Sequence, residues 1–122
     1  MQGVKLENRT RGETLARRVQ VCDTWWSRGR GLMFRRSLRD DVLWFQLGRS
    51  GRLDAAIHMF FVFFPIGVVW LDEAGRVVDQ ALARPFRPWY APAKPAAVYV
   101  EGPPSILEHC APGDVLVLNT CA

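Results

Sequence analysis

Residues 58–72, HMFFVFFPIGVVWLD, decide the fold. The stretch is almost wholly apolar, is interrupted once by Pro65, and leads into the charged sequence LDEAGR. Aromatic and β-branched side chains dominate it, and these suit a pleated, buried surface. Proline is barred from helix interiors and central strands. The block therefore reads as two buried strands, residues 55–64 and 66–71, meeting at Pro65. Residues 72–76, with Gly75, read as a hairpin turn, and residues 77–82 as the returning strand. Residues 55–71 hold no Asp, Glu, Lys or Arg. Their length reaches only the lower edge of the span a membrane helix needs, about 17–25 residues, so no membrane span is expected.

Working outward, residues 4–8 read as a strand and residues 10–13 as a turn around Gly12. Residues 15–22 alternate as one further strand. Asp23 or Thr24 can cap a short helix carrying Trp25 and Trp26, ended by Gly29 and Gly31. Residues 42–47 form a strand, and residues 48–54, GRSGRLD, form a loop. Residues 84–95 contain Pro85, Pro88, Pro92 and Pro95, which forbid both helix and interior strand. This stiff loop carries Phe86, Trp89 and Tyr90. Residues 97–101 form a strand. Residues 102–110 hold a second short helix with proline in its first turn. Residues 112–114 turn, and residues 115–118 close the pattern. The expected fold is mainly β (α+β): one domain over residues 1–122, an antiparallel barrel-like sheet with two short helices.

The 122 residues are 49% hydrophobic, enough for a core, and carry a formal net charge of +4. The basic excess is local. Residues 1–40 hold ten of the 16 Lys and Arg but four of the 12 Asp and Glu, leaving six basic against eight acidic elsewhere. A solvated arginine-rich face accounts for this, and an acidic partner or nucleic acid is the competing reading. Cys22, Cys110 and Cys121 show no metal-binding spacing. A strand between Cys110 and Cys121 would hold them too far apart to bond. Reduced thiols, and no secretory leader in the charged residues 1–20, suit a cytoplasmic protein.

Three blocks, spread over residues 4–118, resemble the domain-of-unknown-function 192 family of bacterial and archaeal proteins. The first is Arg28, Gly31, Leu32, Met33 and Arg35. The second is Met59, Pro65, Ile66, Val68, Val69, Leu71 and Asp72. The third is Glu101, followed by Gly113 and Asp114 before the last strand. The sequence departs from the family pattern at Gly67, where the family usually has Asp, and at Phe61 and Val62, where many members have Asn-Thr. Ser105 stands near the place of a usual Gly. The resemblance implies a fold and brings no activity with it.

No acid/base spacing, phosphate loop or nucleophile elbow is present. The expected function is a non-enzymatic binding or accessory domain for a small ligand or a protein partner, with no cofactor and no metal. Its expected site is where Arg30 and Arg35 approach Glu101, rimmed by Trp89 and Tyr90 of the proline-rich loop, with His58 nearby. Glu101 reads equally as the partner of an arginine or of a helix start. His58 reads as a hydrogen-bonded core or rim residue. Cys22 reads as a small core hydrophobe, and His109 with Cys110 lacks the partners a metal would need. The alternatives are single-stranded nucleic-acid binding through the basic N-terminal third, and a hydrolase using Glu101 and His58.

Overall fold

The computed structural model describes residues 3–22, 42–51, 64–85 and 90–121. They form eight strands: β1 (Gly3–Asn8), β2 (Glu13–Ala16), β3 (Val19–Cys22), β4 (Val42–Gly51), β5 (Ile66–Leu71), β6 (Val77–Ala83), β7 (Ala96–Gly102) and β8 (Leu116–Cys121). A five-residue 3-10 helix, Pro104–Glu108, follows β7. Among the described residues, no helix is long and apolar enough to cross a membrane.

The strands make two sheets, with orders β2-β1-β8 and β3-β4-β7-β5-β6. The barrel-like closure expected from strand spacing is thus replaced by two separate sheets. Short, evenly spaced strands are common to barrels and stacked sheets, so spacing alone cannot choose. Pairing is antiparallel throughout except β3 with β4, which is parallel. The single strand expected over residues 15–22 divides at Arg17 and Arg18 into β2 and β3, which serve different sheets. The expected loop at Gly48 begins later, because β4 runs to Gly51 through an irregular register between Gln46 and Gly51.

Strands β5 and β7 are buried at every residue. Their sequences, IGVVWL and AAVYVEG, lack polar alternation because both faces of the five-stranded sheet are covered. One face gathers Leu43, Phe45, Val68, Trp70 and Tyr99. The other gathers Val42, Trp44, Val69, Leu71, Val98 and Val100 against Leu6, Ala16 and Leu116 of the three-stranded sheet and Ile106 and Cys110 beyond it.

The hairpin at residues 72–76 lies where expected. Asp72 Oδ1 accepts the N–H groups of Ala74 and Arg76, and Gly75 turns the chain at φ 84°. This turn also fastens the two sheets. Leu116 N–H donates to the Gly75 carbonyl at 2.9 Å, and Arg76 bridges Val115.

Of the two expected helices, one lies outside the described residues. The other is a single 3-10 element closed by i→i+3 bonds, Ile106 N–H to Pro103 O and His109 N–H to Ile106 O. Pro112 stops further helix, and the Pro112-Gly113-Asp114 turn takes over at once. The helix rests on two glycines that face each other in register, Gly67 on β5 and Gly102 on β7. A Cβ on Gly67 would lie 2.6 Å from Ile106 Cγ2 and 3.0 Å from the Pro103 carbonyl oxygen. One on Gly102 would lie 3.1 Å from Ile106 Cδ1. Their bare backbone forms the seat into which Ile106 packs.

Candidate functional site

Glu101 is the one charged residue in the otherwise apolar β7, and it is only 7% exposed. Cross-strand register places it between Leu43 and Val68. Two residues back, Tyr99 stacks on Phe45 with ring centroids 4.5 Å apart and planes at 11°, and it lies opposite Trp70. A carboxylate therefore sits in the middle strands of the sheet, one step from a stacked aromatic pair. Its burial costs several kcal/mol unless charge and hydrogen bonds compensate.

The proline-rich loop meets this same face. Tyr90 is half-buried and packs against its aromatic cluster. The loop is pinned at two points. Arg84 N–H donates to the Tyr90 hydroxyl at 2.8 Å, and Ala93 N–H donates to Asp79 Oδ2 at 2.8 Å. Tyr90 of the proline-rich loop thus lies against this face. Arg30, Arg35, His58 and Trp89, together with Leu32 and Met33 of the first block, lie outside the described residues.

A second polar cluster lies across the sheet, around the end of the 3-10 helix. Asn8, fully buried on β1, donates through Nδ2 to the His109 carbonyl and to Asp114 Oδ2, both at 2.9 Å. Its Oδ1 accepts Arg11 N–H at 3.2 Å. Asp114 Oδ2 also accepts Ala111 N–H at 3.1 Å and meets Arg11 Nε at 3.1 Å, while Arg11 Nη1 donates to the Glu108 carbonyl. The Asn8 amide, then the Ala111 N–H and the Arg11 charge, hold the Asp114 carboxyl below its ordinary 3.8. A lowered folded-state pKa adds stability that is complete above the unfolded value and disappears as pH falls through the folded one. Asp114→Asn is therefore expected to lose stability at neutral pH and to show a flatter acid limb below about pH 4 in melts followed against pH.

Beside this cluster, His109 Nδ1 stands 3.3 Å from Glu13 Oε2. His109 also lines an open cleft of about 140 Å³ with Leu15, Val42, Pro103, Ser105 and Ile106. Cys110 points inward, donating to the Ile106 carbonyl at 3.4 Å, and is a free thiol. No Cys110–Cys121 bond exists. Burial, with the Asp114 charge adding to it, pushes the Cys110 thiol up to about 11. It stays protonated at neutral pH and is no nucleophile. Among the described residues, no group of three or more metal-ligating side chains is present.

Glu101 lies by cross-strand register on the face of the five-stranded sheet against which Tyr90 packs. The sequence does not single out Asn8 or Glu13. Nothing in a single Asn near the end of a short strand marks it as buried. Glu13 and His109 are 96 residues apart in the chain, and only the pairing of β1 with β2 and β8 brings them together.

The solved structures that resemble this chain share its fold. A Sinorhizobium meliloti 1021 protein described as a candidate transcription regulator superposes with a TM-score of 0.80 at 20% identity, covering 96% of this chain and 93% of that one. A protein of unknown function from Novosphingobium aromaticivorans DSM 12444 superposes with a TM-score of 0.79 at 22% identity, covering 93% of this chain and 82% of the other. Sequence relatives lie nearer. A UPF0127 protein of Thermococcus sibiricus is 38% identical over 85% of this chain and 66% of its own length. One from Pyrococcus furiosus is 37% identical over 83% of this chain and 84% of its own length. The chain spans just under two thirds of the length of the Thermococcus relatives it matches. The model of the DUF192 family, described as "Uncharacterized ACR, COG1430", matches residues 6–117, and with these relatives it shows that the chain belongs to that family.

Proposed function

We propose that this protein is a non-catalytic binding domain, and that its site is the Glu101 face of the five-stranded sheet. The observation that carries the reading is the position of Glu101. Every other residue of β7 is apolar or glycine and buried, so an apolar side chain there would serve the sheet at lower cost. A carboxylate held in an otherwise apolar strand, with an interaction partner of its own, is a candidate functional group. Phe45, Tyr99 and Trp70 beside it are buried, so a partner would meet this face at its rim, where Tyr90 is half-buried, and there a hydrogen-bond donor or cation suits the carboxylate. Tyr90 and Ala93, tied to Arg84 and Asp79, supply a rim beside it.

A thermal-shift screen of small amines, amides and heterocycles tests this. Stabilising compounds are expected, with shifts lost in Glu101→Gln and reduced in Tyr90→Ala while both variants remain folded. Compounds that stabilise the Glu101→Gln protein as well as the parent would place binding elsewhere and end the assignment.

A further inference from the structure

The cleft beside the 3-10 helix lies on the face of the sheet opposite Glu101 and takes no part in that reading. Its floor is apolar, made by Leu15, Val42, Pro103 and Ile106, and its lip carries His109 and Ser105. Three anchors hold the histidine. Its N–H donates to the Ile106 carbonyl, its carbonyl accepts from the buried Asn8 amide, and its ring meets Glu13. Two separate elements, the β1–β2 hairpin and the 3-10 helix, therefore fix one imidazole at the mouth of a cleft. Little ordering remains to oppose binding there.

We infer that this cleft is a second binding site, for a small uncharged molecule with a short aliphatic tail and a hydrogen-bond-donating head such as a primary amide or alcohol. The size follows from a cleft of about 140 Å³, room for only a small molecule. The tail class follows from the four apolar floor residues. The head class follows from the tautomer. Glu13 Oε2 can only accept, so Nδ1 is the donor in that contact, and in the tautomer that keeps its single ring proton there Nε2 is an acceptor. Ser105 adds a hydroxyl that can donate or accept. A carboxylate head would meet the Nε2 lone pair and the Glu13 charge, and is disfavoured.

The test is an NMR titration of the full chain with butyramide and, as a charged molecule of the same size, butyrate, both at pH 8. Butyramide is expected to give saturable shifts centred on Leu15, Val42, Ile106 and His109 with a millimolar-range dissociation constant. Butyrate should bind at least about tenfold more weakly. His109→Ala, at a side chain 54% exposed, should keep the parent melting temperature and weaken butyramide at least about fivefold. Glu101→Gln should leave the titration unchanged, which separates this site from the one on the opposite face. Absence of saturable shifts, equal binding of butyrate, or unchanged binding in His109→Ala would each overturn the assignment.

Discussion

Gly67→Asp should be among the most damaging single changes in this protein, although it installs the residue the family usually carries there. Gly67 faces Gly102 beneath the 3-10 helix, and its Cβ position lies 2.6 Å from Ile106 Cγ2. Real Cβ contacts do not come so close, so the helix would have to rise off the sheet. The added carboxylate would also face the Pro103 carbonyl oxygen, 3.0 Å from the Cβ position, and two acceptors cannot bond each other. Overpacking typically costs about 1–3 kcal/mol and an uncompensated buried carboxylate several more. The expected loss is on the order of 3–5 kcal/mol, a fall in melting temperature of roughly 10 °C or more. Gly67→Ala should fall between the two proteins. Calorimetry that finds Gly67→Asp as stable as the parent would mean that the glycine seat does not set the height of the helix. In this chain the glycine at position 67 makes room for Ile106 and the Pro103 carbonyl.

Asn8→Leu should rank with it. Leucine shares asparagine's branched shape, though it is bulkier, and is apolar like the neighbouring core. Its failure would be one of hydrogen bonding. Asn8 serves three groups at once: the His109 carbonyl, Asp114 Oδ2 and Arg11 N–H. Removing one side of buried hydrogen bonds costs about 1–3 kcal/mol for each group left unpaired, more when it is charged. Water can reach Arg11 and part of Asp114, so a total of about 2–4 kcal/mol is expected. Asn8→Asp should do no better, because it would set a carboxylate against that of Asp114. Denaturant melts of both variants provide the check. An Asn8→Leu midpoint within error of the parent would show that the cluster holds without its buried centre.

The parts of this fold that are legible in the sequence are those governed by one strand at a time. The apolar runs at Ile66–Leu71 and Ala96–Gly102 announce strands buried on both faces, and Asp72 with Gly75 announces the turn between β5 and β6. What is not legible depends on which strand lies beside which. The break at Arg17 and Arg18 separates two sheets, yet locally it is only an imperfect alternation. Gly67 is visible as a letter, but what makes glycine fit there is the approach of Ile106, 39 positions later. The same holds for the sites. Glu101 stands out because a charge in an apolar strand is anomalous wherever that strand packs. His109 and Glu13 become a pair only through sheet topology.

The pairing of β1 with β8 has a consequence in time. Gly3 lies opposite Cys121 and Asn8 opposite Leu116, so the first strand aligns with the last along its whole length. During vectorial synthesis the five-stranded sheet has all its strands once β7 has emerged. The β1–β2 hairpin must wait for β8 before its own sheet is complete. Contacts between strands so far apart in sequence are slow to form. Until they do, Leu6 and Ala16 lack the β8 side of their packing, and the growing chain exposes an unfinished sheet edge of the kind that recruits chaperones or neighbouring chains.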